Sequence, residues 1–361
     1  MLYLLLYPLK EIFGPFRLFG YITFRAAYAA VFAILIVLLI GNFFTNYLRN
    51  KSITQRIREE VPNHHKVKEG TPSMGGLLIL IALLISVILF ADLTNPNIII
   101  LIIATIWFGI LGFVDDYIKI FKNKPRGLSI KTKLLFQVIF GLALGIYLYF
   151  YGPAGYATKT NLLFLKNYVV NFGIFYPLFV ALVTVGTSNG VNLTDGLDGL
   201  AIGLLGISAV AYTALSYASG HIGISNYLNI IFIKNGGEAA VFCAALVGAG
   251  LGFLWFNAYP AQIFMGDTGS LSLGAILGVV AILIKQEFLL IFIGGVFVIE
   301  VISVLLQIIY FRRTKGKRLF LMAPLHHHYE LKGLAEPKIV VRFWIVGIIF
   351  LMIALSTLKI R

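Results

Sequence analysis

Residues 97–116 read NIIILIIATIWFGILGFVDD, from Asn97 to Asp116. No charged side chain interrupts the run from 97 to 114, which as a helix is ~27 Å long. That nearly crosses a ~30 Å hydrocarbon core, and it ends abruptly on two adjacent carboxylates, Asp115 and Asp116. A soluble core helix would be amphipathic; this one is apolar on all sides. The stretch therefore reads as a transmembrane helix with an acidic pair where it leaves the lipid.

Working outward, similar apolar segments lie at roughly 20–48, 74–91, 132–151, 173–190, 197–218, 237–256, 268–284, 288–311 and 340–359. The expected fold is all-α: a polytopic integral membrane protein of about ten transmembrane helices, forming one domain over residues 1–361. The composition agrees, with 59% hydrophobic and 12% charged residues, about half the charge of a soluble domain. The apolar N-terminal stretch lacks a small-residue cleavage site and reads as part of the mature chain. The single cysteine, Cys243, excludes a disulfide framework and a cysteine zinc site.

The net charge of +14 invites a nucleic-acid reading, but its distribution explains it better. With span ends included, the loops after spans one, three, five, seven and nine carry 20 of the 29 lysines and arginines. Basic residues accumulate on the cytoplasmic side of a membrane protein. These loops are therefore expected to be cytoplasmic and both termini periplasmic, with no nucleic-acid partner. Glycines spaced by four, Gly141 with Gly145, Gly248 with Gly252 and Gly274 with Gly278, are expected to let helices pack closely.

Only 15 residues are acidic, so each position is informative. Asp115 and Asp116 end span three. Asp195 and Asp198 lie in Asn192-Leu193-Thr194-Asp195-Gly196-Leu197-Asp198-Gly199, after span five. Asp267 lies in Phe264-Met265-Gly266-Asp267-Thr268-Gly269-Ser270, after span seven. The last two loops contain no lysine or arginine, so local ion pairs do not account for their acids. Helix capping would explain any one of them. Five on one membrane face point to a site, since carboxylates at a bilayer boundary are costly unless used. Converging carboxylates bind a hard cation, and Mg²⁺ in particular takes one or two together with phosphate oxygens.

The remaining cytoplasmic loops supply cations. Lys68 precedes Gly70-Thr71-Pro72-Ser73-Met74-Gly75-Gly76 and is a candidate ligand contact. Lys119, Lys122, Lys124, Arg126, Lys131 and Lys133 are expected mainly to enforce topology or to touch anionic membrane lipids. His326, His327 and His328 are consecutive. On a helix they would point about 100° apart, which suits hydrogen bonding to phosphate or sugar at least as well as one metal. Glu300 lies within span nine, with Gln307 two turns later on the same face; it is either functional or hydrogen-bonded between helices.

Phe113-Val114-Asp115-Asp116, Asn192 to Gly199, Phe264-Met265-Gly266-Asp267 and the histidine tract resemble the polyprenyl-phosphate N-acetylhexosamine-1-phosphate transferases. The fragment His326-His327-His328-Tyr329-Glu330-Leu331-Lys332-Gly333 resembles that superfamily's muramoyl-pentapeptide branch rather than its N-acetylglucosamine branch. The resemblance runs from Tyr21 to Arg361. It implies a Mg²⁺-dependent enzyme of the bacterial inner membrane, active at the cytoplasmic face and homodimeric. It would join UDP-MurNAc-pentapeptide to undecaprenyl phosphate, with release of UMP.

By the same resemblance, Asp267 is the principal Mg²⁺ ligand with Asp115 and Asp116 beside it, and Asp115 accepts the proton of the lipid phosphate. Phe264 stacks on uracil, surrounded by Gly196, Leu197, Asp198, Lys68 and Asn257. Ser73, Asn189, Asn192, Asp195, Gln307, His326 and His327 contact sugar and diphosphate. Two alternatives remain: an N-acetylglucosamine-1-phosphate transferase of the sister branch, and a cation-coupled transporter. The latter would place acids near the bilayer midplane, where only Glu300 fits.

Overall fold

The computed structural model describes residues 1–51, 53, 70–122, 124, 126–162 and 169–360. The first helices are α1 (Leu2–Leu6), α2 (Ile22–Asn50), α3 (Gly76–Phe90), α4 (Pro96–Phe121) and α5 (Ile130–Tyr151). A short antiparallel hairpin, β1 (Lys159–Asn161) and β2 (Val169–Asn171), separates them from α6 (Tyr176–Thr194) and α7 (Leu200–Ser219). Then come α8 (Ile222–Leu228), α9 (Glu238–Asn257), α10 (Gly266–Leu283), α11 (Leu290–Ile293), α12 (Gly295–Arg313), α13 (Leu325–Leu331) and α14 (Glu336–Ile360).

Among the described residues, nine helices are long and apolar enough to cross a bilayer. The segment expected as a tenth span is α3, which has 15 residues and is only ~22 Å long. It is shorter because the chain from Pro72 to Gly75 does not continue the helix. Instead it runs beside the segment before α10: Phe264 N–H donates to Pro72 O, Gly75 N–H to Phe264 O and Gly76 N–H to Met265 O, each at 2.8 Å. The expected ninth span is also interrupted. It divides into α11 and α12 at Gly294 and Gly295, a pair that breaks helices readily.

Local chemistry sets the helix ends. Asn95 caps α4, its side chain accepting from Asn97 N–H at 2.9 Å, and Pro96 occupies the first turn. Ser129 caps α5 by accepting from Thr132 N–H at 3.1 Å.

The most buried helix is α10, which packs against α4, α6 and α3. The expected glycine faces are where helices meet. Side chains at Gly141 and Gly145 would strike Ala181 and Pro177 of α6; at Gly248 and Gly252, Ala30 and Val37 of α2; at Gly274 and Gly278, Thr187 of α6. At the opposite end of the bundle from Asp267, the buried Arg25 guanidinium grips Glu238 through two nitrogens, clamping α2 to α9.

Candidate active site

Three helix ends meet at one end of the bundle: the C-terminus of α4 and the N-termini of α5 and α10. Gly112 makes the meeting possible, since any side chain there would strike the Asp267 carbonyl. Gly266 starts α10 with a left-handed φ of 73°, a conformation that favours glycine. A Cβ at Gly266 would lie 2.7 Å from an Asp116 oxygen and 3.2 Å from Ser73 Oγ.

Asp115, Asp116 and Asp267 each offer an oxygen within 4.8 Å of the others. Asp116 is buried and caps α10. It accepts from Asp267 N–H at 3.1 Å, Thr268 N–H at 2.9 Å and Thr268 Oγ1 at 2.7 Å. Asp115 accepts from Leu128 N–H at 2.7 Å. Asp115 and Asp267 are then joined by two ammonium groups. Lys119 Nζ lies 2.6 Å from Asp115 and 2.9 Å from Asp267; Lys133 Nζ lies 3.0 Å from Asp115 and 2.7 Å from Asp267. Three carboxylates and two ammoniums leave one net negative charge in a largely buried cluster.

The donor set is all oxygen and anionic, which suits a small hard dication. The fit is best at Asp267 and Asp115, whose oxygens face the two lysine ammonium groups. Asp116 has most of its acceptor capacity committed to α10.

The α6–α7 loop borders this cluster. Burial, followed by repulsion from Asp267, Asp116 and Asp198, pushes the Asp195 carboxyl up to about 8. Gly196 touches the ring of His326: a side chain at this glycine would collide with Nε2. Asp198 accepts from Ala261 N–H at 3.0 Å, and Asn257 bonds Gly199 N–H at 3.1 Å and Ile263 O at 2.9 Å. These bonds fix the loop to the segment that presents Phe264, a half-buried ring. Leu197 is buried beneath them.

Asn192 donates to Ser270 Oγ at 2.8 Å, which connects α6 to α10 one turn after Asp267. Asn189 donates to Gln137 Oε1 at 2.7 Å and to Val185 O at 2.8 Å, deeper in the bundle. Gln307 accepts from Leu319 N–H at 3.1 Å and Phe320 N–H at 2.9 Å, and so holds the α12–α13 loop. His326 and His327 lie on α13. His326 is fully buried, and His327 Nδ1 sits 2.6 Å from Glu330. Lys68 lies outside the described residues.

Sequence reasoning missed Lys119 and Lys133 as site residues. Lys119 had a signal, its spacing of three and four from the two aspartates on one helix. Lys133 had none beyond belonging to a basic loop. Thr268, which ties Asp116 to α10, and Glu336, which accepts from Asp198 N–H at 2.8 Å, were also missed.

An apolar groove of about 390 Å³ runs between α6 and α12. Phe179, Val183, Gly190, Phe297 and Val301 line it. Its near end, at Val191, is one residue from Asn192.

Comparison with known proteins finds two family matches. The profile of glycosyl transferase family 4 matches residues 98–285. A phospho-N-acetylmuramoyl-pentapeptide-transferase signature matches residues 68–80. Full-length relatives include the phospho-N-acetylmuramoyl-pentapeptide-transferase of Desulfotalea psychrophila, 51% identical over 361 residues, with 100% of both chains covered. Proteins of the same name from Endomicrobium trichonymphae (51% over 363 residues) and Desulfosudis oleivorans (52% over 361) are also covered in full.

Proposed function

The chain belongs to the phospho-N-acetylmuramoyl-pentapeptide-transferase family, and from that membership we infer the reaction its carboxylate–lysine cluster performs. It is a membrane transferase of peptidoglycan synthesis that moves phospho-MurNAc-pentapeptide from UDP-MurNAc-pentapeptide to undecaprenyl phosphate, giving lipid I and UMP. The observation that carries the mechanism is the joining of Asp115 and Asp267 by Lys119 and Lys133 where the apolar helices α4, α5 and α10 end or begin, with an apolar groove beside α6 in the same bundle. Such a site can meet a water-soluble diphosphate on one side and a membrane-bound phosphate on the other.

The sugar nucleotide enters from the aqueous side. Phe264, a half-buried ring, stacks on uracil, with Gly196, Leu197, Asp198 and Asn257 shaping the pocket; Lys68, outside the described residues, is a further contact proposed from its sequence position alone. Ser73, Asn192, Asp195, His326 and His327 line the path of sugar and diphosphate, with Asn189 and Gln307 behind them. Lys119 and Lys133 turn from the carboxylates to diphosphate oxygens, countering charge in the displacement. The polyprenyl chain lies in the α6–α12 groove. Asp115 takes the proton of the lipid phosphate, whose oxygen attacks the sugar-linked phosphorus as its bond to the UMP oxygen breaks. Asp267, with Asp115 and Asp116, would hold Mg²⁺, which would supply further neutralisation of the diphosphate and of the departing UMP. Direct attack is favoured over an aspartyl-phosphate intermediate, because carboxylates committed to cations are poor nucleophiles.

This reading places the cluster at the cytoplasmic face of the bacterial inner membrane, with both termini periplasmic and a homodimer as the working unit. A transporter reading loses its one mid-bilayer acid, since Glu300 bonds backbone N–H groups.

The test is UMP release by purified protein with undecaprenyl phosphate, Mg²⁺ and either UDP-MurNAc-pentapeptide or UDP-GlcNAc. Release from the muramoyl substrate alone, abolished by EDTA and by Asp267→Ala, is the expected outcome. Release from UDP-GlcNAc alone moves the protein to the sister branch.

A further inference from the structure

The geometry points to Glu300 as a positioning residue for the transfer: it caps the histidine helix and holds His326 against the Asp195–Gly196 edge of the site. Glu300 lies in the first half of α12 and is wholly buried. An unpaired carboxylate there would be very costly. Its oxygens instead accept from Leu325 N–H at 2.7 Å and His326 N–H at 3.3 Å, the first two amides of α13. The residue preceding that helix is Pro324, whose side chain makes no capping bond. Glu300, 25 residues away in sequence, performs the capping instead.

The same carboxylate lies 3.3 Å from His326 Nδ1. His326 is also wholly buried, and neither ring nitrogen makes a hydrogen bond within the described structure. An imidazole packed against Gly196 with an unused Nε2 is a polar group waiting for a partner. Glu300 fixes the helix through its backbone N–H groups and stands beside Nδ1, while close packing against Gly196 holds the ring, so Nε2 keeps one orientation. The partner that the site's chemistry supplies is a hydroxyl or phosphoryl oxygen of the diphosphate-sugar. This inference rests on the transferase reading above.

The test is a double-mutant cycle on full-length protein in detergent, with Glu300→Gln, His326→Ala and the pair. Melting midpoints and the KM for each substrate are measured beside kcat. Glu300→Gln is expected to lower kcat/KM for the UDP-sugar about 100-fold, with KM for polyprenyl phosphate within about twofold of wild type. The double variant is expected to fall within about threefold of His326→Ala alone, because Glu300 acts through that ring. A double variant that loses the product of the two single factors assigns Glu300 a general structural role and overturns the proposal. So does full activity in Glu300→Gln. Glu300→Asp replaces Glu300→Gln in the same cycle if the latter does not fold. Wild-type protein that releases no UMP from any UDP-sugar overturns the transferase reading first, and this inference with it.

Discussion

Replacing Asp116 by asparagine should separate the scaffold of the acidic cluster from its chemistry. Asp116 accepts three bonds from the first turn of α10, at 3.1, 2.9 and 2.7 Å. Asparagine keeps one acceptor oxygen and presents an NH₂ group where the other stood. If the oxygen keeps both Thr268 bonds, the NH₂ faces Asp267 N–H, and that donor loses its partner. Charge-assisted bonds contribute about 1.5–3 kcal/mol against about 1 for neutral ones, so weakening two loses roughly 1–2 kcal/mol. Orphaning the third donor adds about 1–3 kcal/mol. Relief from burying a charge offsets part of this. The net expectation is a loss of about 2–4 kcal/mol, or on the order of 3–5 °C in melting midpoint.

Asp267→Asn makes the contrast. Among the described residues, the ion-pair partners of the Asp267 carboxylate are Lys119 and Lys133, and both retain Asp115 at 2.6 and 3.0 Å when it goes. Its midpoint without Mg²⁺ should move by no more than roughly a third of the Asp116→Asn shift. Turnover should fall about 10³-fold or more. Thermal unfolding in detergent and the UMP-release assay measure both quantities on the same samples. If Asp267→Asn melts as low as Asp116→Asn, or lower, the assignment of Asp116 as the cap of α10 is refuted.

A cation arriving beside Asp195 should displace the proton that this carboxyl holds below about pH 8. Its pKa is raised in the ion-free protein, so Mg²⁺ affinity should increase with pH from 6 to 8; calorimetry in buffers of different ionisation enthalpy should register the released proton, and Asp195→Asn should reduce that release most at the upper end of the range, since the Asp116 carboxyl is raised only to about 6. Arg25→Ala strands a buried Glu238 carboxylate and should cost about 3–5 kcal/mol of stability, with the kcat of the folded fraction unchanged; Arg25→Ala with Glu238→Gln should recover part of the midpoint. Lys133→Met removes one of the two cations joining Asp115 and Asp267 and should raise KM for the sugar nucleotide about 10–100-fold, with little change in unfolding. Gly266→Ala forces a left-handed residue against Asp116; a loss of about 1–3 kcal/mol should appear in the melting midpoint.

The membrane spans were legible because a bilayer demands unbroken apolar length, and a run such as 97–114 has no other reading. Where that demand relaxed, the sequence said less. In α3, backbone pairing of Pro72–Gly76 with Phe264–Met265 takes residues that composition alone would add to a helix. The β1–β2 hairpin in the loop after α5 left no trace in the apolar pattern. Asn257 and Gln307 were read as substrate contacts, and the fold gives both a second task the sequence did not show, bonding backbone groups; an amide side chain serves either purpose, and its type does not reveal which.

The same asymmetry governs the charges. Acidic residues are rare here, so Asp115, Asp116, Asp195, Asp198 and Asp267 stood out wherever they fell. Lysines are common on that face for reasons of topology, and the two that matter to the site are hidden among those that do not. Lys119 is recoverable, because a helix places residues three and four apart on one face. Lys133 is not, because its place depends on how α5 leans against α4 and α10, and only packing decides that. Glu300 belongs with Lys133. Its burial was visible from its neighbours, but the two N–H groups it serves lie on another helix, and a partner chosen by the fold leaves no periodicity for the sequence to show.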